Sequence, residues 1–356
     1  MNTSNRSDIF TKDNIAEYMI YEAIHARLGD IVIAQLNILD PCCGKGAFIF
    51  PILKLLTKDI QSGHCTWEDK RLNSFLTAID INESYLNELK PKVLSYLITH
   101  SCPENRALEL SNAWFLHQDF LKFNTDLSYD IIIGNPPYIR YDNLTSDQQT
   151  YYSNHYHTFS GRSDIYVPFF EHALEMLKPT GCLCYICTNR FTKTSYGKRL
   201  RSLISDKYHV RLYLNMEHTQ PFETEVSAYP AIFLIDNAQG TSTFAATIDN
   251  LSDDTLNKVH INKQSEESIL VKFDQWFSQD QPWLFTSLES QIENDILSAF
   301  PTIGESSQDI NLGIGIATGA DDIFIHCGMP PEIDETHLLP LAISNDLRSG
   351  SIQWSG

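Results

Sequence analysis

The chain has 356 residues, 42% hydrophobic and 20% charged, an ordinary globular composition with room for a large core and about two domains. No apolar run reaches membrane-spanning length, and residues 1–8 carry no hydrophobic signal core, so no membrane-spanning helix is expected and a cytosolic protein is the default. The net charge of −19 excludes a uniformly basic nucleic-acid binder, and it is uneven: residues 241–356 hold 4 basic and 18 acidic residues.

In chain order, Ile9, Ile15, Ala16, Met19, Ile20, Ala23 and Ile24 recur at helical spacing and predict a helix over 9–28. A short strand over 37–40, a glycine-containing turn and a helix over 47–56 follow. Residues 59–73 are polar and read as an inserted loop. A strand over 75–81 leads to a helix ending near Leu97, and strands over 114–117 and 130–133 come next. Residues 140–163, polar and aromatic, read as a mobile loop. Helices over 166–177 and 195–204 flank a strand over 182–188, and strands over 210–216 and 228–235 complete the set. Strands alternating with helices predict a doubly wound, mostly parallel, seven-stranded Rossmann-like α/β sheet. After residue 237 the pattern breaks. Residues 238–310 read as a linker with helical segments, and 311–356 as the start of a further region without a closing element.

Several residues invite a functional reading and mostly have a plainer one. Cys182, Cys184 and Cys187 lie in an apolar strand without a second Cys/His pair at zinc spacing, so they read as structural thiols. Arg190, Lys193, Lys198, Arg199 and Arg201 form either a solvated helix face or a phosphate-facing patch. Glu68-Asp69-Lys70 matches only the last part of a nuclease motif, within the inserted loop, and reads as surface.

The chemistry concentrates at strand ends. Asp40-Pro41-Cys42-Cys43-Gly44-Lys45-Gly46 leaves the first strand, with glycines where a backbone must approach a ligand closely. Its spacing is neither the dinucleotide fingerprint nor a Walker loop, and an acid ahead of it suits a cationic, amino-acid-bearing ligand. Asp80 ends the second strand, where a carboxylate can accept both hydroxyls of a ribose. Asp119-Phe120 follows the third, offering an acceptor for an adenine amino group and a ring to cover it. Any one such acid is commonly a cap or turn residue; three at successive strand ends are harder to assign to chance. Asn135-Pro136-Pro137-Tyr138 follows the apolar run 129–134. Two prolines end that strand and present an amide, a backbone carbonyl and an aromatic face together. An amide oxygen and a carbonyl can accept both protons of an exocyclic amine while a tyrosine stacks on the ring that carries it.

Together these motifs resemble an S-adenosylmethionine-dependent N6-adenine DNA methyltransferase with motifs in gamma-class, Type IIG-like order. Phe10-Thr11 resembles a Phe-Thr-Pro motif, with Lys12 in place of the proline, and 40–46 resembles Asp-Pro-Ala-Cys-Gly-Ser-Gly. Asn135 to Tyr138 matches the catalytic motif without departure. Pro221-Phe222 and Val226-Ser227-Ala228 resemble the late motif that packs on an extruded base. The resemblance covers residues 8–236 well and 311–325 weakly. It implies S-adenosyl-L-methionine as cofactor, contacted by Thr11, Asp40, Cys42, Gly44, Gly46, Asp80, Ile81, Asp119, Phe120 and Pro137. It implies Asn135, Pro136 and Tyr138 as catalytic residues, Tyr138 and Phe222 on the base, and no metal. Double-stranded DNA is the implied partner, in a restriction-modification or related system of a bacterial or archaeal cytosol. The implied domains are a catalytic domain over 1–237, the 238–310 segment, and a recognition region from 311 that a missing domain or partner subunit would complete. A protein glutamine N5-methyltransferase shares the tetrapeptide logic, but little more than one helix precedes the first strand here and about 120 residues follow the last. A non-catalytic binding subunit is the alternative from another class.

Overall fold

The computed structural model describes residues 9–283 apart from 29–31, 225–228, 239, 241, 264–266, 275 and 278. The chain divides into two units, residues 1–290 and 291–356. The second unit, with the expected recognition region from 311, lies outside the described residues, as does Val226-Ser227-Ala228.

Nine strands form one sheet: β1 (Ile38–Asp40), β2 (Leu76–Asp80), β3 (Phe115–His117), β4 (Tyr129–Gly134), β5 (Leu177–Thr188), β6 (His209–Asn215), β7 (Pro230–Asp236), β8 (Thr243–Thr247) and β9 (Val271–Phe273). Their spatial order is β3-β2-β1-β4-β5-β7-β6-β8-β9. The first five are mutually parallel, whereas β7 runs antiparallel between β5 and β6. Side chains alternate across the sheet, as the two-residue period of a strand requires. Ile131, Ile133, Cys182, Cys184 and Ile186 face one apolar layer with α1 (Asp13–Leu28), α2 (Ile49–Gln61), α3 (Glu83–Thr99) and α4 (Glu104–Trp114). Ile132, Leu183, Tyr185 and Cys187 face the other with α5 (Ser146–His155), α6 (Tyr166–Glu175) and α7 (Lys198–Lys207). Covering on both sides explains why the central strands are apolar over 131–134 and 182–187. Each fully buried Ile or Leu contributes about 1.5–3 kcal/mol to this arrangement.

Four expectations change. Among the described residues the sheet has nine strands, not seven, because Thr243–Thr247 pairs in parallel with β6 and Val271–Phe273 pairs antiparallel with β8. The boundary at residue 237 therefore falls inside the sheet; these added strands are short and half polar, with too little periodicity to read. Residues 140–163 contain a helix, α5, whose start carries a reciprocal cap between Thr145 and Gln148. Tyr152, Tyr156 and Phe159 tie this segment into the core, so the aromatics read as loop polarity are its anchors. The first helix begins at Asp13 because residues 10–12 are extended against 221–223. The 59–73 insertion is fastened from within: Arg106 donates to the carbonyls of Trp67 and Asp69, and the Trp114 indole to that of Leu72. In that insertion Glu68 and Lys70 are exposed, and Asp69 pairs with Arg71.

The segment after β8 also locks α1. From just beyond α8 (Asp253–Lys258), His260 Nδ1 lies 2.5 Å from Glu22 Oε1, and both side chains are buried. Tyr18 donates its hydroxyl to the Val259 carbonyl at 2.9 Å. Removing the imidazole leaves a buried carboxylate without its partner, which costs about 3 kcal/mol. His260→Ala is expected to lower unfolding stability by about that amount in a denaturant titration; a loss under about 1 kcal/mol would show the pair to be incidental.

Candidate active site

β1 and β4 are neighbours, and the chain leaves them toward opposite halves of the sheet, β2 on one side and β5 on the other. This is a topological switch point, where the loops at the carboxyl ends of strands part to leave a crevice. The glycine turn and Asn135-Pro136-Pro137-Tyr138 emerge there side by side.

The turn after β1 is held by backbone bonds and one carboxylate. Cys43 N–H donates to the Ile79 carbonyl at 2.9 Å, and Gly46 N–H to that of Cys43 at 2.8 Å. Asp80, at the end of β2, accepts from Gly44 N–H (2.8 Å) and Asn82 N–H (2.7 Å), one through each oxygen. An ionised carboxylate has about four acceptor positions and can bridge backbone and ligand donors. Gly46 has φ +90°, and a Cβ there would lie 2.6 Å from Leu89 of α3, so a larger residue would be strained and would displace that leucine. Asp40 is fully buried: Oδ1 accepts from Cys42 N–H at 3.2 Å, and Oδ2 has no partner. Burial pushes the Asp40 pKa well up, opposed by the Cys42 N–H and reinforced by the charge of Asp80. Such an orphaned, desolvated carboxylate is suited to a cationic group. Ile81 follows Asp80 and is 62% exposed, an apolar surface open at the rim of the crevice.

Asp119 caps the short turn Phe120–Lys122 by accepting from Leu121 N–H at 3.1 Å, and Lys122 lies 3.9 Å away. Phe120 is buried against Phe169 and His172, with ring centroids 5.0 and 4.7 Å away, so its ring belongs to the apolar layer as well as to the strand end.

The tetrapeptide is oriented by residues remote in sequence. Asn135 Nδ2 donates to the Ile9 carbonyl at 3.1 Å and to Thr11 Oγ1 at 3.3 Å. Both amide hydrogens are thereby occupied, and the buried Oδ1 is left without a partner. Thr11, expected at the cofactor, is thus placed against the Asn135 amide. Pro136 is buried, and Pro137 and Tyr138 are half-buried. The Tyr138 ring meets Phe222 edge-on, 5.9 Å between centroids at 76°. Burial pushes its phenol pKa well up, with the Cys187 and Cys42 thiols adding to the effect, so the group stays neutral. Phe222 arrives through a small antiparallel pairing: Lys12 N–H donates to the Pro221 carbonyl at 3.0 Å and Glu223 N–H to that of Phe10 at 2.9 Å. Phe10 in turn lies under Lys45, whose ammonium sits 4.2 Å above the ring. Residues 9–12 are therefore a strap touching the glycine turn, the tetrapeptide and the 221–223 segment. The Phe10-Thr11 motif marked the strap; the Ile9 carbonyl, lying in backbone, had no sequence signal.

The basic cluster does not form one face. Arg201 is buried and donates to the carbonyls of Phe191, Thr194 and Asp280. Lys198 pairs with Asp280 at 3.6 Å and Arg199 donates to the His157 carbonyl. Arg190 stands over the half-exposed Tyr229 ring at 5.4 Å, and Lys193 is exposed. The β5 cysteines are buried, with Cys182 and Cys184 directed at α1 carbonyls. Among the described residues no group of three or more His, Cys, Asp or Glu is placed to hold a metal ion.

Comparison with known proteins agrees with this geometry. The chain is 31% identical over 365 residues to the Type II methyltransferase M.BstVI of Geobacillus stearothermophilus, covering 98% of this chain and 65% of that protein. It is 28% identical over 362 residues to the Type II methyltransferase M.XhoI of Xanthomonas vasicola, covering 99% of this chain and 66% of that one. The chain thus spans just under two thirds of the length of these relatives. A nuclease-deletion mutant of the Type ISP restriction-modification enzyme LlaGI, solved with a DNA substrate mimic, shares the fold with a TM-score of 0.56 at 15% identity, over 79% of this chain and 31% of that one. Residues 44–222, half of the chain and the span from the glycine turn to Phe222, match a single family description, and the chain belongs to the Eco57I restriction-modification methylase family.

Proposed function

We propose that this chain is the catalytic part of a DNA methyltransferase of a restriction-modification system, acting in a cytosol. In this reading it transfers a methyl group from S-adenosyl-L-methionine to N6 of an adenine extruded from double-stranded DNA. The observation that carries the reading is the buried Asn135 Oδ1, aimed by two occupied amide hydrogens and lacking any partner of its own. An unpaired buried acceptor costs stability, and a donor supplied by substrate is the explanation that fits a crevice at a switch point. The names of the relatives, Type II methyltransferases, support the same reading.

The residues fit the cofactor. Gly44 and Gly46 would let backbone approach it, Asp40 would meet its cationic end, Asp80 would accept from the ribose hydroxyls, Ile81 and Phe120 would lie against the adenine, and Asp119 would accept a hydrogen bond from its amino group. Thr11, Cys42 and Pro137 border the same crevice. When bound, the cofactor supplies an electrophilic methyl group on a positively charged sulfur. Asn135 Oδ1 and the Pro136 carbonyl accept the two hydrogens of the target amine, drawing its lone pair out of conjugation and favouring the positive charge that develops on nitrogen. A base inside a duplex is out of reach and must be flipped, at a cost of a few kcal/mol. Stacking on Tyr138, with Phe222 bracing that ring, returns about 1–3 kcal/mol. Holding the amine in line then supplies the positional part of the rate.

DNA must be met locally, since the chain as a whole is strongly acidic. Arg140, Arg190 and Lys193 lie after β4 and β5 and offer the phosphate contacts, with Tyr229 beside them. The catalytic domain expected over 1–237 is taken to extend through β9, and residues 311–356 to open a recognition region completed by further chain or a partner subunit.

Labelled methyl transfer into unmethylated genomic DNA, followed by nucleoside mass spectrometry, is expected to yield N6-methyladenine; label found only in protein, or only in cytosine, overturns the assignment. Asn135→Ala is expected to lower kcat by at least about 10²-fold while calorimetric affinity for S-adenosylhomocysteine stays within about twofold. Tyr138→Ala should weaken DNA binding, read with a duplex carrying a mismatch at the target base, by about tenfold and leave cofactor affinity unchanged; equal losses in both would remove the stacking role.

A further inference from the structure

We infer that the Cys42 thiol is a positioning residue for transfer: it clasps the glycine turn to the tetrapeptide and so fixes the backbone from which the Asn135 amide projects. The inference rests on the methyl-transfer reading above and deepens it.

Three features converge on this clasp. Cys42 Sγ lies 3.0 Å from the Asn135 carbonyl oxygen. The pairing of β4 with β5 ends at Gly134 opposite Tyr185, so that carbonyl is the first beyond the ladder and takes its hydrogen bond from the turn after β1. The approach of the two loops is close enough that a side chain at Gly134 would crowd it: a Cβ there would stand 3.2 Å from Asp40 Oδ1, 3.2 Å from Pro41 Cδ and 3.7 Å from Cys42 Sγ. The peptide after Asn135 leads into Pro136 and carries no N–H, so its carbonyl is the only main-chain group of that peptide that can be held. Burial pushes the Cys42 thiol pKa well up, with the charges of Asp40 and Asp80 adding to it, so the sulfur keeps its proton and acts as donor. Asn135 is therefore gripped at both ends: Ile9 and Thr11 hold the amide nitrogen, and Cys42 holds the carbonyl. Releasing the carbonyl frees rotation about the Asn135 backbone and moves the acceptor oxygen relative to the loop that cradles the cofactor. Cys42 touches the catalytic loop, so its contribution lies in relative placement, which sets rate more than cofactor affinity.

The test compares the full chain with Cys42→Ala and Cys42→Ser. Cys42→Ala is expected to lower kcat about tenfold with S-adenosylhomocysteine affinity within about twofold, and Cys42→Ser, which keeps size and a donor, to recover most of the rate. Wild-type kcat in Cys42→Ala overturns the proposal. So do matched losses of kcat and cofactor affinity, which would make Cys42 a pocket wall. If Cys42→Ala does not fold, the serine variant alone decides: kcat near the parent value supports the clasp and a tenfold loss in a folded protein overturns it. A crystal structure of the folded alanine variant provides a readout independent of activity. Displacement of Asn135 with residues 40–46 unmoved is expected, and superposable loops overturn the clasp even if the parent proves inactive on DNA.

Discussion

A buried amide oxygen without a partner is the constraint on which the rest of this structure depends. Leaving the Asn135 acceptor unpaired costs about 1–3 kcal/mol, and the side chain would turn over if its nitrogen were free to do so. Two acceptors, one main-chain and one hydroxyl, keep the nitrogen engaged and thereby make the orphan oxygen permanent. The parallel pairing of β1 with β4 brings the glycine turn to the same spot, and the sheet, covered by helices on both sides, supplies a frame stiff enough to hold it.

Much of this was legible because it is local. The apolar run before Asn135, the prolines after it, and acids at the ends of β1, β2 and β3 all declare themselves within a few residues. The parallel sheet follows from alternation alone. What stayed hidden is what depends on contacts between distant segments. Nothing near Thr11 says that its hydroxyl meets residue 135, and nothing near Phe222 says that its backbone pairs with residue 11. The strands β8 and β9 are short and half polar, so they exist because β6 offers an edge to pair with. The helix α5 lies in a segment whose aromatics look like surface until the core they enter is known. Arg201 shows the reverse error, a cation read as part of a basic face that is instead buried and caps three carbonyls.

Charge is unevenly distributed along the chain. The acidity of the chain falls mostly after residue 240, while the crevice margin after β4 and β5 carries Arg140, Arg190 and Lys193. On the proposed function, a polyanion would be drawn to these cations, and its binding would weaken as ionic strength rises.

The strap of residues 9–12 has a bearing on how this protein is produced. Translation begun at Met19 would still encode all nine strands, the glycine turn and an intact tetrapeptide. Such a shortened polypeptide would keep the two most recognisable motifs, yet its asparagine would have lost both anchors and its amide would be free to turn over.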